Sequence, residues 1–233
     1  MLTKNEVEQI PVVLKIRAHE QEMLQDKPPC GLEQCPECGA VQDPLTFRRH
    51  EIRKRTFLVP VGNLVYAIDS CLSRWACPLC SKAFTVYPPF ALPFKRYVLP
   101  EMIARSRRYI EHVGETYRSG VLENQRPVFR ATDDPFQIDE RCWAPSTLHR
   151  WISTLGRLPE TMRAALDLIK QAAPGSGLLR HLAAGQIHPR KYRSDARRTA
   201  LIRCDQLLRA MSPYQRIFGK SIFPSLATGS AWS

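Results

Sequence analysis

The chain has 233 residues, of which 44% are hydrophobic and 24% are charged, so it has the composition of a globular protein and is long enough to bury a core. It shows neither a run of about 18 apolar residues nor an apolar signal core near its start, which predicts no membrane span and no secretion. We therefore expect a cytoplasmic protein whose eight cysteines are reduced and serve a purpose other than disulfide bonding.

The formal net charge of +12 is unevenly distributed along the chain. Residues 44–108 carry 12 basic and 3 acidic side chains, and residues 141–233 carry 15 and 4, whereas residues 109–140 carry 3 and 7. Two basic blocks separated by an acidic connector are typical of a protein that binds a polyanion, most often nucleic acid. The alternative is that each basic run is a solvated surface without a ligand.

After an N-terminal segment (residues 1–29), two CxxC pairs stand out: Cys35 and Cys38 in CPECG, and Cys77 and Cys80 in CPLCSK. A CxxC turn lets two thiolates converge on one ion, and four thiolates give a closed, tetrahedral zinc site that is structural rather than catalytic. We predict one structural Zn²⁺ held by these four residues. Three further candidates compete for the site, and we interpret them as small buried cysteines and a solvent-facing histidine: Cys30, Cys71 and His50.

The residues between the pairs predict a β-hairpin. Segments 53–60 and 64–70 are rich in β-branched and aromatic residues with VGN between them as a turn, and 83–87 is a short strand after the second pair. This order predicts a small β zinc ribbon over residues 30–98. Its proline-rich end contains four aromatic residues that form either the apolar core of the ribbon or a base-stacking platform, with the core interpretation favoured: Phe84, Tyr87, Phe90 and Phe94.

The period then changes to that of helices. A long helix is predicted within residues 99–120, followed by an acidic linker over 121–140 with at most a short helix after Pro135. The whole chain is therefore predicted to be α+β, a ribbon followed by a mostly helical region.

Residues 141–173 resemble a helix-turn-helix in their pattern. Ser146 is a plausible N-cap, an apolar stripe of Leu148, Trp151, Ile152 and Leu155 faces inward, and a second helix follows over 159–172. In a recognition helix the outward residues reach base edges, and an arginine such as Arg150 reads guanine. The predicted DNA-facing residues are Thr147, His149, Arg150, Ser153 and Arg157, with Thr154 also placed outward. The alternative is an ordinary amphipathic surface helix.

The C-terminal region, residues 174–224, contains a dense basic cluster ahead of a helical apolar stripe. Such a cluster suits phosphate contacts, which position a protein without reading sequence, although a solvated helix face would look the same. The predicted phosphate contacts are Arg190, Lys191, Arg193, Arg197 and Arg198. Residues 173–177 are interpreted as a flexible joint and 225–233 as a disordered tail.

Catalytic patterns are missing from the sequence. There is no phosphate-cradling glycine-rich loop, no paired-histidine motif and no nucleophile with a base, and the acidic residues do not suggest the carboxylate triad of a transposase core. We expect a protein that is not an enzyme.

CPECG, the basic hairpin, CPLCSKAFTVYPPFALPFKRY and STLHRWI resemble an uncharacterised bacterial family of transposon-borne proteins with a zinc ribbon and a helix-turn-helix. The ribbon also resembles the N-terminal heads of several transposases. The resemblance covers about residues 30–160 and implies a nucleoid-associated DNA-binding protein, an accessory or regulator of a transposase, that contacts double-stranded DNA. The alternative is a ribbon that docks on a protein or binds RNA, with only non-specific affinity for nucleic acid.

Overall fold

The structure, a computed structural model, describes residues 3–26, 28–61, 64–119, 128–130, 138–139, 145–174, 185–219 and 221–223. The chain divides into two compact units. The first contains residues 1–99, 127–140 and 223–233, and the second contains 100–126 and 141–222. Strands occur in the first unit and most of the helices in the second, so the predicted α+β class is confirmed.

A long hairpin dominates the first unit. β1 (Arg48–Val61) pairs antiparallel with β2 (Leu64–Ala76) along its whole length, with one irregularity in register between Arg49 and Glu51. β3 (Ala83–Val86) adds antiparallel to the far end of β2. The predicted strands are thus confirmed, and the first two extend further than predicted because the basic stretch at the start of β1 continues to pair with the end of β2.

Two short strands extend this sheet from the segment predicted as an acidic linker. β4 (Val128–Arg130) pairs parallel with the start of β2, and β5 (Ile138–Asp139) pairs antiparallel with β4. The prediction of at most a short helix after Pro135 is therefore wrong at residues 138–139. The physical reason is that β2 has a second edge whose backbone groups need partners, and this segment supplies them. The rest of the predicted linker lies outside the described residues.

Two N-terminal helices, to which the sequence analysis assigned no structure, pack with the sheet. α1 (Lys4–Glu8) begins with a capping box between Thr3 and Glu6, and α2 (Pro11–Met23) begins with a proline at its first position. Their buried apolar residues form one core with residues of β1, β2 and the proline-rich segment, namely Val7, Val13, Ile16, Phe57, Val59, Tyr66, Ile68, Leu72, Phe90, Ala91 and Val98.

The core interpretation of the proline-rich aromatics is confirmed for three of the four. Phe84 and Phe90 are buried, and Tyr87 is half-buried against the helix-covered core. Phe94 is the exception, because 75% of its surface is exposed.

The second unit is helical. α3 (Leu99–Glu111), of which all but the first residue belongs to this unit, is shorter than the long helix predicted within residues 99–120. α4 (Pro145–Leu155) and α5 (Pro159–Ala172) follow the predicted bounds closely, and both pack on α6 (Asp195–Phe218). The apolar stripe of α4 is buried as predicted.

A close approach of backbones fixes how α4 meets α6. A Cβ added at Gly156, just after α4, would lie 2.4 Å from the carbonyl oxygen of Ala200 on α6. Only glycine allows this approach, which seats the end of α4 directly on the α6 backbone.

None of the helices described is both long enough and apolar enough to cross a membrane. The predicted tail at 225–233 and most of the predicted joint at 173–177 lie outside the described residues.

Candidate metal centre and basic groove

The two CxxC pairs adopt the same backbone turn. In the first, the Cys35 N–H donates to the Ala40 carbonyl and the Gly39 N–H donates to the Cys35 carbonyl, both at 2.9 Å. In the second, Cys77 and Ser81 repeat these two bonds with the same offsets, at 3.0 and 2.9 Å. The residue after the second cysteine has a positive φ in both turns, +73° at Gly39 and +58° at Ser81.

These turns bring four sulfur atoms together. The Cys35 and Cys80 Sγ atoms lie 3.9 Å apart, as do those of Cys38 and Cys77, and all four lie within 4.8 Å of one another. A disulfide would need about 2.05 Å between sulfurs, so these are separate thiols. The four cysteines form a cluster that is compatible with a metal ion.

A small apolar core supports the cluster. Trp75 of β2 and Phe84 of β3 are cross-strand neighbours, and Phe84 meets Phe47 edge to face at 5.5 Å. The indole N–H of Trp75 donates to the Ser73 hydroxyl at 2.8 Å, so its polar group is satisfied while the ring is buried. The first cysteine of each pair is buried in this core, and the second lies nearer solvent.

The thiols differ in their tendency to ionise. Backbone N–H groups, first that of Cys80 and then that of Leu79, lower the pKa of Cys77 to about 7. At Cys38 the Ala40 N–H acts in the same direction, but burial and hydrogen bonds shared with the other three thiols outweigh it and raise the pKa to about 11. A cation at the centre of the cluster would favour the thiolate form of these groups, because an opposite charge nearby stabilises the ionised state.

The three competing candidates lie outside this group. Cys30 and Cys71 are buried, and His50 is exposed on β1. Burial raises the pKa of Cys30 to about 12, as expected for a thiol that packs as an apolar side chain. Their interpretation as packing cysteines and a solvent-facing histidine is therefore confirmed.

In the second unit, two adjoining cavities of about 540 and 420 Å³ form a basic groove. They share His149, Ser194 and Arg197, which join them. Among the described residues, one carboxylate, that of Glu115, and six cationic side chains line the two cavities together, the latter being Arg157, Arg190, Lys191, Arg193, Arg197 and Arg203. We refer to these two cavities as the basic groove.

The groove unites residues that are distant in the sequence. Seven of the ten predicted DNA contacts line it, namely His149, Ser153, Arg157, Arg190, Lys191, Arg193 and Arg197. The remaining three, Thr147, Arg150 and Arg198, do not line it, although Arg150 and Arg198 are exposed. Thr154, expected on the outside of α4, is instead buried, and its hydroxyl donates to the Arg150 carbonyl at 2.7 Å.

Lys191 is a structural residue rather than an exposed cation. It is only 5% exposed, and its ammonium group donates to the carbonyl oxygens of His112 and Glu115 at 2.6 and 2.5 Å. The same nitrogen lies 4.2 Å from the ring centroid of Tyr109. Burial lowers the pKa of Lys191, and the charge of Glu115 partly restores it. A phosphate would have to compete with these partners.

Arg197, in the first turn of α6, forms side-chain contacts with α4. Its guanidinium donates to the Ser153 hydroxyl at 2.9 Å and to the Tyr117 hydroxyl, and it lies over the Tyr117 ring. The side of α4 that carries His149 and Ser153 therefore faces α6, with the Ser153 side chain half-buried and His149 still exposed. Partial burial, then the charges of Arg197 and Arg150, lower the pKa of His149.

The exposed cations of the groove are Arg157, Arg190, Arg193 and Arg203. Arg203 was missed from the sequence, although a signal exists. The groove is lined by residues at i, i+3, i+4 and i+7 of α6, which share one face of the helix: Ala196, Thr199, Ala200 and Arg203. Three small residues on one face with an arginine at its end are the pattern that indicates this position.

Comparisons with known proteins found no family model, no curated protein and no solved structure that matches this chain.

Proposed function

We propose that this is a zinc-containing nucleic-acid-binding protein, in which Cys35, Cys38, Cys77 and Cys80 hold one structural Zn²⁺. A tetrahedron with zinc–sulfur bonds of about 2.3 Å has sulfur–sulfur edges of about 3.8 Å, close to the 3.9 Å separations of the cluster. All four corners are protein thiols, which leaves no position for a substrate. The ion would fix the turns on either side of the β1–β2 hairpin.

We further propose that the basic groove of the second unit binds the phosphate backbone of double-stranded DNA. The single observation that carries this proposal is the convergence of two basic segments, around residues 149–157 and 190–203, on one groove with one carboxylate. Exposed arginines at this density attract phosphate and release its counterions. Lys191 and Arg197 have the supporting role of shaping the groove, because their donors already have protein partners.

Base reading through α4 is the role of Arg150, which is exposed on that helix outside the groove. The proposal thus separates two sets of arginines. Those of the groove bind phosphate on any sequence, and Arg150 distinguishes bases as in a helix-turn-helix. The resemblance to transposon-borne proteins supports a role as a transposase accessory or regulator.

The test is a salt titration of binding to a fluorescent random-sequence duplex, followed by enrichment sequencing of the retained DNA. Arg157→Ala and Arg203→Ala should each weaken binding to every sequence. Each should also reduce the slope of log affinity against log salt by about 0.9 for every phosphate that the variant no longer neutralises. Arg150→Ala should leave that slope nearly unchanged and remove the preference at one base pair.

The matched control is Arg163→Ala, which removes an exposed arginine of α5 that does not line the groove. Its affinity and salt slope should equal those of the wild type. Failure of the wild-type protein to bind duplex at low salt would refute the proposal, and equal losses from Arg157→Ala and Arg163→Ala would refute the assignment to the groove.

A further inference from the structure

One aromatic residue of the first unit is exposed in a backbone conformation that disfavours it. Phe94 has a φ of +59° and an exposed fraction of 75%, whereas its neighbours Leu92 and Pro93 are buried. The Lys95 N–H donates to the Leu92 carbonyl at 3.2 Å and closes a four-residue turn with Pro93 and Phe94 at its centre. A positive φ at the third position of such a turn normally selects glycine, and a bulky residue there is strained.

The surroundings hold this turn in place. Arg55 of β1 donates from Nη2 to the Lys95 carbonyl at 2.8 Å. The next segment binds β1 as well, since the Leu58 N–H donates to the Arg96 carbonyl at 2.8 Å and the Val98 N–H donates back to the Leu58 carbonyl at 3.2 Å. A strained residue persists only where its surroundings over-determine it, and such residues concentrate at binding sites. The backbone at Phe94 is therefore held in place and its ring is exposed, and we refer to this ring as the platform.

Two cations beside the platform have no carboxylate partner. Among the described residues neither Arg55 nor Arg96 forms an ion pair, and Arg55 Nε is buried without a hydrogen-bond partner. The two guanidinium groups are close enough for the charge of Arg96 to lower the pKa of Arg55, after the larger effect of burial. The carboxylates on this hairpin are already engaged, Glu51 by two arginines and Asp69 by the Thr56 hydroxyl.

We propose that Phe94 stacks on an unpaired nucleobase while Arg55 and Arg96 hold the adjacent phosphate, so that the first unit binds single-stranded nucleic acid. An aromatic face beside cations that lack a carboxylate partner matches a nucleotide, which offers a flat ring and an anion a few ångströms apart. An apolar protein partner would match the ring but leave the two arginines unmatched. This inference rests on the proposed nucleic-acid function and adds to it a second, single-strand site that is separate from the basic groove.

The test compares Phe94→Gly, Phe94→Leu and Phe94→Trp in the full zinc-loaded chain. The probes are a mixed-sequence single strand, the same strand with abasic positions, and the matched duplex. Stacking on one base is worth about 1–3 kcal/mol, so Phe94→Gly should weaken single-strand binding roughly five- to 150-fold and leave duplex binding within about twofold. Phe94→Leu, which keeps an apolar side chain but no ring, should lose nearly as much.

Phe94→Trp provides a direct signal. It should retain single-strand affinity, and its fluorescence should be quenched by the normal strand but not by the abasic one. Phe94→Gly should also melt at or above the wild-type temperature, because it relieves the strained φ, so that reduced binding accompanies undiminished stability. Leu45→Ala, a control at another exposed apolar residue of the first unit that lies outside the cysteine cluster, should change neither affinity.

The outcomes separate the two proposals. Unchanged single-strand affinity in Phe94→Gly, with a wild-type protein that binds DNA, would overturn the stacking site and leave the proposed function standing. Equal loss on single strand and duplex, or no quenching in Phe94→Trp, would also overturn it. A wild-type protein that binds neither probe would overturn the proposed function itself.

Discussion

The cysteine cluster and the basic groove gather reactive or charged side chains by different routes. The four thiols come from two short turns with the same backbone hydrogen bonds, and all four point at one another. The groove is assembled from α4, the segment before α6 and α6 itself, and its two most constrained cations already bond to protein. In the cluster the local backbone determines the role of each residue, whereas in the groove the role depends on distant neighbours.

The largest expected effect would distinguish the role of the four clustered cysteines from that of the buried residues around them. Cys77→Ser should abolish binding of the proposed Zn²⁺ and unfold the core around Trp75, because a structural zinc contributes on the order of 10 kcal/mol and three thiolates hold it much less tightly. The measured zinc content should fall from one ion per chain to none, and the contribution of Trp75 to the near-ultraviolet circular dichroism should be lost.

Cys30→Ala is the matched control, since Cys30 is equally buried in the same core but lies outside the cluster. It should keep one zinc per chain while losing some stability through the missing volume. Zinc retained at full stoichiometry by Cys77→Ser would contradict the assignment of the four ligands.

The next effect would show that neighbouring basic residues of the groove have opposite roles. Lys191→Met should lower the free energy of unfolding by about 2–3 kcal/mol, because it removes two charge-assisted hydrogen bonds and the cation–π interaction with Tyr109. Arg190→Met, at an exposed position, should change stability by less than about 0.5 kcal/mol and instead weaken duplex binding. Calorimetric melting and duplex affinity, measured on both variants, check this reversal. Equal stabilities would mean that the buried lysine does not support the groove.

A smaller effect would test whether the two cysteine turns are equivalent. Gly39→Ala should destabilise the zinc-loaded protein by about 1 kcal/mol, because alanine is strained at a positive φ. Ser81→Gly should stabilise it by at most about 1 kcal/mol, because the same conformation is then free of strain. Gly114→Ala, where φ is not positive and a Cβ meets no other atom, is the neutral control in thermal melting. A destabilised Ser81→Gly variant would show that the serine side chain supports the second turn.

The sequence predicts all four cysteines of the cluster but only part of the groove, because the cluster depends on local backbone turns and the groove depends on distant neighbours. The spacing of Cys35, Cys38, Cys77 and Cys80 restricts where their thiols can point, so the four-thiol cluster follows from the motif. Periodicity likewise identifies the hairpin, the buried stripe of α4 and the bounds of α5, since each depends on residues close in the chain.

What the sequence could not give depends on tertiary neighbours. Lys191 and Arg190 are adjacent and both basic, yet the fold buries one against two carbonyl oxygens and exposes the other. The pairing of β4 with β2 is parallel and joins residues more than 60 positions apart, which no local pattern signals. The exposure of Phe94 could not be predicted either, because its sequence context of prolines and apolar residues is that of a core residue.

The smallest expected effect concerns pH and would test whether the groove shields its histidine. Partial burial, Arg197 and Arg150 lower the pKa of His149 in the folded protein below its ordinary value, about 6.5. As the pH falls below 6.5, the unfolded chain therefore takes up a proton that the folded chain does not, and stability decreases until the pH reaches the folded pKa. The decrease should be about 0.5 kcal/mol or less, because the side chain is still partly exposed and its interactions are screened.

His149→Gln should remove this part of the pH dependence while it keeps the backbone carbonyl that accepts from Arg197 and Ser153. The check is urea unfolding between pH 5 and 7.5, and identical curves for wild type and His149→Gln would mean that the contacts of α4 with Arg197 and Tyr117 open too readily to exclude a proton.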